Sequence, residues 1–118
     1  MDVVKIVVFV PETHADAVRE ALGKAGAGKV GDYACCSFSV KGTDRFIPLK
    51  TAHPAIGEIG ELEEVRGERV ETVCYKKDLN KVIAAVKEVH PYEEVAIDVY
   101  PLVVNPHKIT HKKIRNNL

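Results

Sequence analysis

The stretch His90-Pro91-Tyr92-Glu93-Glu94-Val95-Ala96-Ile97-Asp98-Val99-Tyr100-Pro101-Leu102 ends one amphipathic helix and begins one strand. Proline has no amide hydrogen and a fixed φ, so Pro91 stops the helix and pushes His90 out of the α region. Beyond the corner, Val95, Ile97, Val99 and Leu102 restart an apolar pattern that reads as a strand. Upstream, residues 78–89 place Leu79, Val82, Ile83, Val86 and Val89 on one stripe, with Lys81, Lys87 and Glu88 on the opposite side. The corner also gathers a histidine, two tyrosines and three carboxylates, which makes it a candidate site. A plain helix-to-strand connection explains it equally well.

The same alternation extends toward the N-terminus. In residues 65–75, Val70, Thr72 and Cys74 face one way and Arg69, Glu71 and Val73 the other. Residues 3–10 are a β-branched run with Lys5 the only charge, as in a strand buried on both faces. Pro11 ends that run. Thr13-His14-Ala15-Asp16 has the spacing of a capping box with a short acid in place of Glu. Ala17, Val18, Ala21, Leu22 and Ala25 then repeat at helical spacing, and Gly26-Ala27-Gly28 closes the helix. Residues 33–40 read as a second strand, with a turn at Gly42-Thr43 leading into a short third strand at 45–49. Residues 50–67 read as an irregular extension with little regular structure until 58–62. The order is βαββαβ: an α+β, ferredoxin-like sandwich, its antiparallel sheet carrying helices 13–25 and 78–89 on one face. Residues 1–104 form the domain and residues 105–118 a polar, basic C-terminal tail.

Composition narrows the function classes. A chain of 118 residues is one domain with a core of its own. Lys+Arg 17 balances Asp+Glu 17, so no global field favours nucleic acid or an acidic membrane. Zero net charge also offers little repulsion against self-association. No run reaches the roughly 20 apolar residues of a transmembrane helix. Asp2 leads straight into a strand, so no signal peptide is expected, and three cysteines, two of them adjacent, suit a reducing cytoplasm.

Several constellations could carry chemistry. His107 and His111 are spaced to share a helix face, but Lys108, Lys112 and Lys113 would repel a cation there. Cys35-Cys36 lacks the two-residue spacer of a thiolate clamp, and on a strand the two would point to opposite faces. The glycines at 26, 28 and 31 follow a helix instead of opening one, so they read as a C-cap and turns, not a phosphate loop. At the corner, the helix dipole and Glu93 or Glu94 would favour cationic His90, and His90, Glu93 and Glu94 could bind a divalent cation. In an oligomer, Tyr92 and Tyr100 would instead be buried anchors and Glu93-Glu94 rim charges.

These residues also carry a resemblance. Val7-Val8-Phe9-Val10-Pro11, residues 26–33 (GAGKVGDY), Cys36-Ser37-Phe38, residues 54–60 (PAIGEIG) and the 90–102 corner resemble the domain inserted into bacterial members of the Nif-three-like dinuclear-metal-centre family. That domain has a CutA-like, P-II-like version of the ferredoxin-like fold, and the corner is similar to one in CutA, the divalent-cation-tolerance protein. The resemblance covers residues 3–102. Thr43-Asp44-Arg45-Phe46 and Lys50-Thr51-Ala52-His53 depart from it, standing where the family runs richer in glycine. The family's paired metals are held by lobes flanking the insert, so the resemblance implies a freestanding, non-catalytic regulatory or interaction module without a cofactor. CutA and P-II-like proteins form trimers, which implies a homotrimer binding a small ligand or protein partner. The alternative it leaves is a divalent-metal-binding protein of the cation-tolerance type using His90, Glu93 and Glu94.

Overall fold

The computed structural model of the chain describes residues 2–105. Four strands and two helices follow in the order β1 (Val3–Pro11), α1 (Ala15–Lys24), β2 (Phe38–Phe46), β3 (Glu63–Tyr75), α2 (Leu79–Val89) and β4 (Ala96–Pro101). The strands lie in the order β2-β3-β1-β4, and every pair is antiparallel. The β-branched run takes the place where branched side chains pack best, a central strand with neighbours on both sides. Ile6 stands opposite Thr72 on β3 and Val99 on β4, and Val8 opposite Val70 and Ile97. These side chains form one core with Val18 and Leu22 of α1 and Val82 and Val86 of α2. Both helices therefore cover the same sheet face, the expected ferredoxin-like sandwich. Cys74 lies in this core, and burial, then Asp78, pushes its thiol up to about 11, so it packs as a small apolar residue.

The end of α1 is held as its glycines suggest. Gly26 takes a φ of 98°, its N–H donates to the Gly23 carbonyl, and the Ala27 N–H donates to Leu22, the two bonds of a Schellman motif. Its beginning differs from expectation. No side chain caps the helix, because a single 3₁₀ turn at Glu12–His14 leads in and the Ala15 N–H donates to the Glu12 carbonyl. The Thr13 hydroxyl lies against His14 Nδ1 at 2.8 Å. Arg19 instead ties α1 to the sheet, donating to Ser39 Oγ at 3.0 Å and Glu68 Oε1 at 2.7 Å, and pairing with Asp16 at 2.6 Å.

The middle of the chain departs further. Residues 33–37 are not a strand, and the expected turn at Gly42-Thr43 and third strand at 45–49 are replaced by one nine-residue strand running through them. Gly42 pairs with Gly67 and Thr43 with Arg66, because β3 extends to thirteen residues and offers partners throughout. Residues 58–62 carry no regular structure before β3 begins at Glu63. Cys35 has a φ of 58° and is exposed, while Cys36 is half-buried. Their segment is fastened by single bonds: Gly28 N–H to Val73 O, Cys36 N–H to Gly28 O, and the Thr72 hydroxyl to Cys36 O. The tail from residue 105 onward, with His107 and His111, lies outside the described residues apart from Asn105.

The sheet face opposite the helices is uncovered by them. It displays Phe38 and Val40 from β2, Phe9 from β1 and Tyr100 from β4, around a charged trio. Glu71 accepts from Lys5 Nζ at 3.3 Å and from Arg69 Nε at 3.1 Å, and the Arg69 guanidinium lies 5.6 Å from the Phe9 ring centre.

Candidate functional site

The corner after α2 is built around His90. Its backbone is extended, at φ −80° and ψ 132°, as Pro91 requires, and its N–H still donates to the Val86 carbonyl. The residue is 7% exposed. One nitrogen, Nε2, lies 2.7 Å from the Phe9 carbonyl, which can only accept, so the proton sits there. The other, Nδ1, accepts the Tyr92 N–H at 3.2 Å. Neutral His90 thus pins α2 to the central strand.

The cationic form expected from the helix dipole is disfavoured. Burial lowers the His90 pKa, and His14 adds to that, against the opposing pull of the Phe9 carbonyl and Asp44. Desolvation is the largest of these effects, because the buried ring has little water to share its charge. Between the lowered folded pKa and the unfolded value near 6.5, the unfolded chain binds more protons than the folded one. His90 therefore contributes stability that is complete above that range and is lost as pH falls through it. Urea unfolding at pH 7.5 and pH 5.5 is expected to show a larger loss in the wild type than in His90→Gln. Equal losses in the two would show that this ring does not govern the acid limb.

Tyr92 faces inward. Its ring meets Phe46 edge-on with centres 5.6 Å apart, and tilts against His90 at 5.1 Å. Its hydroxyl is buried beside the Asp44 carboxylate. Burial first, then Asp44 and Glu63, push the phenol up to about 12, so it stays protonated. Tyr92 is thus an anchor within the protomer, whereas Tyr100 is 43% exposed on the open sheet face.

Between this corner and residues 44–56 lies a pocket of about 500 Å3. Phe46, Ile47, Leu49, Pro54, Ile56 and Tyr92 supply apolar lining, and Asp44, Glu93 and Glu94 bring acids to it. No lysine, arginine or histidine is among its lining residues. The loop is held by Ala52 N–H to Leu49 O, Gly60 N–H to Pro48 O, and His53 N–H to Glu93 Oε1 at 3.0 Å. Gly57, at φ 99°, and Gly60, at φ 81°, take conformations that side chains resist.

The expected metal set is not brought together. Both His90 nitrogens bond within the fold, Glu93 turns an oxygen to His53, and Glu94 is exposed. Among the described residues, no three His, Cys, Asp or Glu side chains converge to hold a metal ion. Sequence reasoning missed Asp44, Phe46, Ile47 and Leu49 as pocket residues. The available signal was a cluster of apolar side chains around Pro48 and Pro54 in an otherwise polar segment.

No family model matches the chain. It is 53% identical over 98 residues to a "GTP cyclohydrolase 1 type 2 homolog" of Halalkalibacterium halodurans, which covers 83% of this chain and 26% of that protein. A protein of the same name from Bacillus subtilis is 50% identical over 102 residues, covering 86% of this chain and 27% of its own length. The chain therefore spans about a quarter of the curated relatives it matches. Among solved structures, a Bacillus cereus protein related to NIF3 superposes with a TM-score of 0.78 at 47% identity, over 90% of this chain and 27% of that one. The CutA of Archaeoglobus fulgidus, a periplasmic divalent cation tolerance protein, superposes at 0.62 and 15% identity over 87% and 86% of the two chains. The Bacillus subtilis GlnK–ATP complex does so at 0.58 and 14% identity over 86% and 82%. These last two show the fold alone. With a CutA-like topology and 47–53% identity to about a quarter of NIF3-related proteins, the chain is a CutA-like domain homologous to one segment of Nif-three-like proteins.

Proposed function

We propose that this domain is a non-catalytic, self-associating regulatory module whose open sheet face joins it to further copies of itself, as a trimer by the resemblance to CutA and P-II-like proteins. The observation that carries this reading is the face itself. Phe38 is 65% exposed and Val40 48% exposed on one edge strand, and Tyr100 is exposed on the other, all on the side of the sheet that no helix covers. A two-layer domain with apolar residues on its outer sheet face has a surface suited to a partner, and a second copy supplies the matching layer. The Lys5–Glu71–Arg69 trio would fix the register of such a contact. The non-catalytic part is supported by His90, which is buried with both nitrogens engaged in the fold. The relatives' name speaks of a homolog of an enzyme, and this chain matches only a quarter of them. No helix among the described residues is long and apolar enough to cross a membrane. The free cysteines fit a cytoplasmic setting.

The expected result is an oligomer in light scattering at micromolar concentration. Phe38→Asp with Val40→Asp should raise its dissociation constant roughly tenfold or more while leaving the far-ultraviolet circular dichroism unchanged. A wild-type monomer at those concentrations defeats the proposal. Metal content of protein purified without a tag separates it from the cation-tolerance alternative.

A further inference from the structure

We propose that the pocket between the corner and residues 44–56 binds a small amphipathic cation, an organic ammonium with an aromatic or aliphatic body. This goes beyond the assembly reading, since it concerns a different surface, and the two fail separately. Three observations carry it. At about 500 Å3, the pocket falls within the range of small-molecule sites. Its lining is mostly apolar, and the Phe46 and Tyr92 rings meet edge-on within it, so a flat or branched hydrocarbon body would be desolvated there. Its charge has one sign: Asp44, Glu93 and Glu94 line it with no basic residue among its lining. A carboxylate or phosphate ligand would be repelled, whereas an ammonium would gain charge-assisted hydrogen bonds. An uncharged apolar ligand would leave the carboxylates that line the pocket without a counter-charge.

Lys50, Thr51, Ala52 and His53 make up the middle of this loop, which has no glycine between residues 43 and 56. Two of them, Thr51 and Ala52, line the pocket, and His53 fastens it through Glu93. A loop with side chains and a side-chain tether loses less freedom on binding than a glycine-rich one.

Calorimetric titration of the full chain at pH 7.5 with phenethylammonium is the test. Phenylacetate has a similar body with the opposite charge, 2-phenylethanol the body without charge, and ethylammonium the charge without the body. We expect saturable binding of phenethylammonium, with each of the other three roughly tenfold weaker or undetectable. Asp44→Asn should weaken it about fivefold or more, and so should Glu94→Gln, an exposed position whose substitution leaves the fold intact. Phenylacetate or 2-phenylethanol binding as tightly as phenethylammonium overturns the proposal, as does no binding of phenethylammonium at 10 mM or affinity unaffected by both substitutions. Light scattering on the same samples reads assembly independently: an oligomer that fails to bind defeats only the pocket, and a monomer that binds defeats only the assembly.

Discussion

Gly28→Ala is expected to lower the unfolding free energy by about 3 kcal/mol or more, from strain of roughly 1–2 kcal/mol in the left-handed region and displaced hydrogen bonds of about 1 kcal/mol each. Gly28 has a φ of 86°, and a Cβ built there would stand 2.6 Å from Cys36 N and 2.7 Å from Cys36 O, both backbone atoms. The two segments would have to part. That would pull on the Gly28 N–H bond to Val73 O at 2.7 Å and the Cys36 N–H bond to Gly28 O at 2.9 Å. Gly26 supplies the control, with a φ of 98° and open space where its Cβ would go. Gly26→Ala should cost only the strain, about 1–2 kcal/mol. Urea titrations of the two variants decide the matter, and equal losses would mean that close approach at Gly28 adds nothing.

Ile6→Ala is expected to cost about 3–4 kcal/mol, in the upper part of the range for emptying a buried aliphatic site. Ile6 is completely buried, at the middle of the central strand, between Thr72 and Val99 and beneath both helices. Neighbours on a four-stranded ladder cannot collapse into the space without breaking register, so the cavity remains. For a domain of this size the melting temperature should drop by roughly 10–20 °C. Ile6→Val, which removes a single methylene, should cost only about 1 kcal/mol. A loss under about 1 kcal/mol for Ile6→Ala would show that the β1 core is not the main source of stability.

The parts of the fold that follow from short-range chemistry were legible in the residues. Val3–Pro11 is a strand because its branched side chains suit burial on both sides of a sheet, and the burial of Val7 as well as Ile6 and Val8 agrees. Leu79–Val89 is a helix because its apolar residues repeat at 3.6, and it stops where Pro91 denies a hydrogen bond. Gly26 and Gly28 end α1 because that turn takes a positive φ. The βαββαβ order, with both helices on one face, follows from those elements and the rule that apolar faces must meet.

Tertiary structure alone decided the rest. Gly42-Thr43 has the chemistry of a turn, yet it lies within β2, because Gly67 and Arg66 of a distant strand offer it a ladder, and pairing over nine residues outweighs a local preference. Thr13 is spaced to cap a helix, but the chain enters α1 through a 3₁₀ turn whose own carbonyl takes the bond. His90 reads as a helix-end cation and is neutral, because only the packed molecule withdraws it from water and hands both nitrogens to Phe9 and Tyr92, one of them 81 residues away. The pocket likewise depends on residues 44–56 folding against 92–96, a juxtaposition across some forty residues. Local sequence encodes periodicity and stops. Which segments become neighbours, and which charges lose their water there, is set by the whole chain at once.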